Sequence, residues 1–262
     1  MPKIEALHKL LDLSGQVAII TGGSRGLGMQ IAEALGEFGA EVVLIARKAD
    51  ELEKARAHLS ELGIKVTTFA HDLSSAGAIA ALTEKLKEQY KRIDILVNNA
   101  GTNWAEAAEN HSSEAWNKLL QLNLTSMFEL TKAIGRDWFI PQKRGRIINL
   151  ASTSGLLGLH PKFLGTLGYS TTKAGVIGFT RALAAEWGPH GITVNALAPG
   201  FFPSKMTRGF LHDNESEILN QTPLARLGGP DDLKGIALLF GSSAGQHITG
   251  QVMAIDGGFT VI

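Results

Sequence analysis

The chain has 262 residues, with 25 basic and 25 acidic side chains and no cysteine. Balanced charge gives no basic field for nucleic acid and no polybasic patch for a membrane surface. The lack of cysteine excludes disulfides and thiolate chemistry, and the eight histidines show neither ligand-like close spacing nor an H-E-x-x-H pair, so no metal site is expected.

The first stretch, MPKIEALHKLLDLSG, mixes acidic and basic residues, unlike a signal peptide. Ile4, Leu7, Leu10 and Leu11 have helical spacing, which predicts a short surface helix over 3–11 within an N-terminal extension, residues 1–12. No run reaches the ~18 apolar residues of a membrane span, so a soluble, cytoplasmic protein is expected. QVAIITG (16–22) reads as a buried strand, followed by a helical pattern through Leu27, Ile31, Leu35 and Phe38. AEVVLIAR (40–47) is a second strand, followed by a helix through Leu52, Ala55, Leu59 and Leu62. IKVTTFA (64–70) is a third, followed by a helix through Ile79, Leu82, Leu86 and Tyr90. IDILVNNAG, RIINLAS, ITVNALAPG and QVMAIDGG supply four more strands with helical segments between them. β-Branched runs alternating with helices predict a parallel sheet covered on both faces. Right-handed crossovers then give one doubly wound (Rossmann) α/β domain over 13–262, with a seven-stranded sheet.

TGGSRGLG (21–28) joins the first strand to the first long helix, and its Gly22, Gly26 and Gly28 let backbone N–H groups approach a pyrophosphate at the helix N-terminus. Gly22 to Gly26 also satisfies G-x-S-x-G, the nucleophile elbow of α/β-hydrolases, with Ser24 as nucleophile. The elbow normally follows a mid-sheet strand, whereas this one follows the first strand of the chain. The hydrolase alternative also leaves the Tyr169/Lys173 pair without a role. At the end of the second strand an acidic residue would hydrogen-bond the ribose 2′-OH of NAD. Arg47 stands there instead, and Arg25 lies within the glycine loop. Two guanidiniums converging on one point suit a 2′-phosphate, so NADP(H) is the expected cofactor. Asp50 and Glu51 come too late in the chain to occupy the strand end.

In GYSTTKAG (168–175), Tyr169 and Lys173 are four residues apart with small side chains between them. On a helix they share a face, which puts a phenol beside an ammonium. A tyrosine ionises near 10, and a neighbouring cation would favour its phenolate. That suits a proton donor to a ketone oxygen, while the cofactor supplies the hydride.

Taken in order, TGGSRGLG, HDL (71–73), NNAG (98–101), LNLTS (122–126), INLASTSG (148–155), YSTTK (169–173), ITVNALAPG (192–200) and IDGG (255–258) resemble the short-chain dehydrogenase/reductase family from about residue 12 onward. The resemblance implies a catalytic tetrad of Asn123, Ser152, Tyr169 and Lys173. Ser152 is preferred to Ser154 because the family pattern is Ser-x-x-Gly and Gly155 fits Ser152. Ser152 would hydrogen-bond the reacting oxygen. Asn123, a poor helix former in mid-helix, would bond locally and hold a water that relays protons to Lys173. The interval from Ser152 to Tyr169 is longer than usual, which implies an insertion in LLGLHPKFLGTLG.

The same resemblance implies that Ser24 and Leu27 join Gly22, Arg25, Gly26 and Gly28 in the cofactor loop. Asp72 and Leu73 would lie at the adenine, and Asn99 and Gly101 near the ribose and pyrophosphate. Phe202 and Ser204 would lie at the carboxamide, and Pro199 and Gly200 behind the nicotinamide ring. Tyr169 and Lys173 would also touch the cofactor. A homotetramer, or a dimer, is implied, with the last strand and the Tyr-bearing helix at its interfaces.

Substrate identity should reside in 102–109, 156–166 and 201–213, which carry Trp104, Leu157, Phe163, Leu164, Met206, Phe210 and Leu211. Their composition favours an apolar or acyl ketone, or the corresponding alcohol. NNAGTNW and FPSKMTR look like the β-ketoacyl reductases of the rhamnolipid type; the gluconate 5-dehydrogenase branch is similar in general pattern. Lys205 and Arg208 either grip a phosphopantetheine or substrate carboxylate, or stand solvated. A non-catalytic nucleotide sensor on the same fold would have no need of the Tyr/Lys pair.

Overall fold

A computed structural model describes residues 6–159, 165–205 and 207–262. Ile4, Phe163, Leu164 and Met206, singled out above, lie outside the described residues. A short helix, α1 (Leu7–Leu11), precedes β1 (Val17–Thr21), α2 (Gly26–Glu37), β2 (Glu41–Ala46), α3 (Ala49–Glu61), β3 (Val66–Ala70), α4 (Ala78–Gln89) and β4 (Ile95–Asn98). One long helical run follows, made of α5 (Ser113–Leu120), α6 (Ser126–Ile134) and α7 (Ile140–Gln142), joined by π-helical turns at Gln121–Thr125 and Gly135–Phe139. Then come β5 (Gly145–Leu150), α8 (Leu167–Trp187), β6 (Ile192–Pro199), α9 (Arg208–Asn220), α10 (Lys234–Gly241) and β7 (Val252–Ile255).

All seven predicted strands form, in one parallel sheet of order β3-β2-β1-β4-β5-β6-β7. The pleat sends alternate residues to opposite faces. Ala18, Ile20, Val42 and Leu44 meet Ile31, Leu35, Leu52 and Leu59 of α2 and α3 on one face. Val17, Ile19, Val43 and Ile45 meet Leu82, Leu86, Leu130, Ile134 and Leu183 on the other. This double burial is why the inner strands read as unbroken apolar runs rather than alternating ones. No α1 residue is buried, although Leu11 packs against the first cluster. Among the described residues no helix is long and apolar enough to cross a membrane.

The sheet order reverses direction between β1 and β4. A crevice therefore opens beyond the carboxyl ends of these strands, where doubly wound sheets take their ligands. A buried polar ladder fixes the neighbouring elements. Asn98 Nδ2 donates to Thr131 Oγ1 and to Asn149 Oδ1, both at 2.9 Å, and Asn149 Nδ2 donates to Thr180 Oγ1 at 2.9 Å. Strands β4 and β5 and helices α6 and α8 are thus tied in register. Losing one member would strand buried polar partners without hydrogen bonds.

Candidate active site

The glycine loop meets the requirements of a phosphate cradle. Gly22 has φ +65° and Gly26 has φ +58°, in the region that side chains rarely adopt. A Cβ on Gly28 would stand 2.6 Å from Gly22 O, and one on Gly22 would stand 3.0 Å from Ala100 Cα. A Cβ on Gly26 would meet nothing within 4 Å, so the loop is open there. Arg25 is the N-cap residue of α2 and gives no side-chain cap, which leaves the first-turn N–H groups to an anion.

Asn99 holds this loop in place. Its Nδ2 donates to Thr21 O at 2.9 Å and Gly22 O at 3.0 Å, while Asn99 N and Ala100 N both donate to Thr21 Oγ1 at 3.0 Å. The amide expected to face the ribose is thus committed to the loop backbone. Leu73 and Phe202 are buried in the two cores. Asp72 accepts from Ser74 N and Ser74 Oγ, and these bonds, helped by Arg47 and His71 nearby, hold its carboxyl below the usual range. Pro199 ends β6, and Gly200 packs so closely on Asp256 that a Cβ would lie 2.8 Å from its Cβ. Ser204 is fastened to Thr207 through both its N–H and its hydroxyl.

The four residues of the expected tetrad come from three elements that meet at the crevice. Ser152 follows β5 and is buried; its Oγ accepts from Ser154 N at 3.2 Å and it hydrogen-bonds Tyr169. Ser154 touches Ser152 through its own hydroxyl at 3.3 Å. Gly155 makes this approach possible. A Cβ there would fall 2.6 Å from the carbonyl carbon of Lys173 and 2.8 Å from Ala174 N, inside the backbone of α8. The Ser-x-x-Gly spacing therefore has a steric cause: the turn after β5 lies directly on the helix that carries Tyr169 and Lys173.

Lys173 is buried, its Nζ donates to Leu150 O at 2.6 Å, and it stands 5.5 Å from the centroid of the Tyr169 ring. Burial lowers its pKa to about 8. The Tyr169 phenol differs from the sequence-based expectation. Burial raises its pKa, and the Ser152 hydrogen bond opposes that only in part. The phenol keeps its proton at neutral pH.

Asn123 also differs. It was expected to bond locally, yet its partners are distant in sequence: Oδ1 accepts from Thr102 N at 2.9 Å, and Nδ2 donates to Thr102 O and Thr172 Oγ1, both at 3.0 Å. The π turn at Gln121–Thr125 permits this, because the wider turn carries the amide toward the loop after β4. A Cβ built on Gly101 would lie 3.2 Å from Asn123 Oδ1 and 3.8 Å from Lys173 Nζ, so Gly101 keeps the space between the two groups clear. Nothing in the spacing of LNLTS alone indicates Thr102 as a partner, and Thr172 stands beside Lys173 without any signal of its own.

The two arginines expected at the 2′-phosphate each have a carboxylate nearby. Arg25 Nη1 lies 2.7 Å from Glu51 Oε1, and Lys48 Nζ lies 3.4 Å from the same oxygen. Arg47 is close enough to Asp72 to act on its charge. Glu51 does lie beyond the strand end, as expected, but it pairs with the loop arginine, a partner the sequence reading did not foresee. Helix α3 begins at Ala49, and its first turn swings Glu51 back to the glycine loop.

The substrate-side segments are partly self-packed. Leu157 and Leu159 of the insertion, with Phe201 and Phe210, pack against a cluster of Leu211, Ile218 and Phe259, and Phe201 stacks on Phe210 at 5.9 Å. Glu106 N donates to Gly165 O at 2.8 Å, joining the loop after β4 to the insertion. Trp104 and Leu156 on these segments, and Leu167 at the start of α8, stay 43%, 41% and 49% exposed.

The short chain dehydrogenase family profile matches residues 16–215. The chain belongs to this family. Among its short-chain dehydrogenase relatives, the gluconate 5-dehydrogenase of Gluconobacter oxydans is 36% identical over 257 residues, covering 96% of this chain and 97% of that one. The rhamnolipids biosynthesis 3-oxoacyl-[acyl-carrier-protein] reductase of Pseudomonas aeruginosa is 36% identical over 258 residues, covering 97% and 99%. A gluconate 5-dehydrogenase from Burkholderia cenocepacia, solved in complex with NADP and tartrate, superposes with a TM-score of 0.92 at 29% identity, covering 98% of this chain and 100% of that one.

For a short-chain dehydrogenase, Ser24 is a loop residue. In the folded chain β1 is an inner strand, so its position does not itself argue against a nucleophile elbow. The family match and the convergence of Ser152, Tyr169 and Lys173 do. Those residues equally remove the reason for a purely sensory role.

Proposed function

We propose that this short-chain dehydrogenase reduces a ketone bearing an apolar arm, a β-ketoacyl thioester or similar β-dicarbonyl, to a secondary alcohol with NADP(H). The glycine cradle and the open first turn of α2 fit a pyrophosphate, and Arg25 and Arg47 fit a 2′-phosphate. When bound, the reduced nicotinamide supplies the hydride. Ser152 fixes the substrate oxygen beside the Tyr169 hydroxyl, and the phenol, protonated at neutral pH, donates to that oxygen. Lys173, charged below about 8, stabilises the phenolate left behind. The gap between Asn123 and Lys173 suits a water that returns the proton. Exposed Phe128 on α6 and Met253 on the edge strand β7 support a homotetramer or dimer.

The cofactor assignment predicts at least about tenfold tighter binding of NADPH than of NADH, roughly the worth of one charge-assisted phosphate contact. Fluorescence titration of both tests it, and equal affinities would remove the 2′-phosphate role. Arg47→Asp should weaken NADPH and leave NADH unchanged or improved.

The observation that carries the apolar substrate is the exposure of Trp104 on the loop after β4, Leu156 four residues after Ser152 and Leu167 two residues before Tyr169. Each buried methylene contributes about 0.8 kcal/mol, so kcat/KM should climb with acyl chain length until the pocket is filled. NADPH loss is followed against a homologous series of β-keto esters or thioesters, with 5-ketogluconate alongside. A flat series with faster turnover of 5-ketogluconate would move the chain to the sugar-acid branch, which its likeness to gluconate 5-dehydrogenase also supports.

A further inference from the structure

Around the end of β2 the charges are arranged unlike a plain phosphate site. Arg25 and Lys48 both face one carboxylate oxygen, Oε1 of Glu51. The carboxylate is the more buried member, with its side chain 22% exposed against 50% for Arg25 and 55% for Lys48. Glu51 is thus covered by two cations, one from the glycine loop and one from the residue before α3. Asp72, held chiefly by Ser74, also feels the charge of Arg47.

We propose that Glu51 is a specificity-determining residue: an internal counterion that holds Arg25 and Lys48 and lowers the affinity of this corner for a 2′-phosphate. The proposal rests on the NADP(H) reading above. A 2′-phosphate seated on Arg25 brings nearly two negative charges to within one guanidinium of the Glu51 carboxylate. Either Arg25 leaves Glu51 or the phosphate shares it; in both cases the carboxylate opposes the phosphorylated cofactor. An unphosphorylated ribose carries no such charge and meets no such penalty. Ordering Arg25 is the competing effect, since a paired guanidinium is better placed than a free one. Exposed pairs of this kind change an equilibrium by only about fivefold at most. Repulsion between a dianion and a carboxylate about 6 Å apart amounts to about tenfold even in water. Repulsion therefore wins, and Glu51 restrains the preference for NADP(H) rather than creating it.

The test is calorimetric titration of wild type, Glu51→Gln and Glu53→Gln with NADP+ and NAD+ at low and moderate salt. Glu53 pairs with Arg56 farther along α3, so Glu53→Gln removes the same charge from the same helix away from the loop. Glu51→Gln is expected to tighten NADP+ about three- to tenfold, to leave NAD+ within about twofold, and to steepen the loss of NADP+ affinity with salt. Glu53→Gln should change neither cofactor. Weaker NADP+ binding in Glu51→Gln would make Glu51 a positioning residue for Arg25 and overturn the proposal. Equal changes for both dinucleotides, or the same tightening in Glu53→Gln, would also overturn it. A wild type that binds NADP+ no tighter than NAD+ would instead bring down the cofactor reading, and the two failures are distinguishable. Melting temperatures of the three proteins serve as a folding control.

Discussion

Tyr169→Phe is expected to lower kcat by about a thousandfold, the usual contribution of a positioned general acid, while NADPH still binds. The substitution removes one oxygen and keeps the ring over which Lys173 is held at 5.5 Å. It also takes away the Tyr169–Ser152 hydrogen bond and leaves the contacts of Ser152 with Ser154 in place. Cofactor titration and turnover should therefore separate cleanly, and a Phe variant with most of its activity would refute the assigned role. The pH profile carries a second reading of the same group. Its pKa lies above the ordinary tyrosine value because burial disfavours the phenolate. The donor form is then full throughout the neutral range, and ketone reduction should be nearly flat between about pH 6 and 8. Alcohol oxidation needs the scarce phenolate and should climb with pH over the same interval. The climb should slacken as Lys173 loses its charge near its own pKa of about 8.

Gly155→Ala is expected to cost about a hundredfold in kcat and roughly 1–3 kcal/mol of stability, although residue 155 itself donates no group to the chemistry. The added carbon would lie 2.6 Å from the Lys173 carbonyl carbon and 2.8 Å from Lys173 O and Ala174 N. These are backbone atoms in a 21-residue helix and cannot turn aside as a side-chain tip could. The turn bearing Ser152 has to lift away from Tyr169, and a displacement near 1 Å is enough for a loss of this size. Steady-state kinetics and a thermal melt together check it. A variant with native kcat and native melting temperature would show that the turn can slide on α8, contrary to the packing described.

Much of this architecture was legible in the chain. Val17–Thr21, Ile192–Pro199 and the other strands could be found because burial on both faces demands consecutive apolar residues, and only the strand ends shifted by a residue or more. Tyr169 and Lys173 were legible because helical geometry alone brings residues four apart together. Three features were not. The height of the phenol's pKa depends on how completely α8 is covered, a tertiary quantity. The partners of Asn123 are 21 and 49 positions away, beyond any local pattern. The pairing of Glu51 with Arg25 spans 26 positions and depends on how α3 packs beside the loop.

Ala115, Leu119, Asn123 and Met127 recur at intervals of four and are all buried. A regular α-helix advances about 100° per residue, so three such intervals would drift about 120° around the cylinder. The wide turn at Gln121–Thr125 absorbs this drift and acts as a phase corrector between α5 and α6. Deleting any one residue from that turn would leave a more uniform cylinder of nearly the same composition. The half before the deletion would then be rotated by about 100° against the half after it. Either Ala115 and Leu119 or Met127 and Leu130 could keep their seats, but not both pairs. The amide between them would lose Thr102 and Thr172 together. The irregular turn is thus a length standard: in this helix the count of residues, more than their identity, decides whether Asn123 faces Lys173.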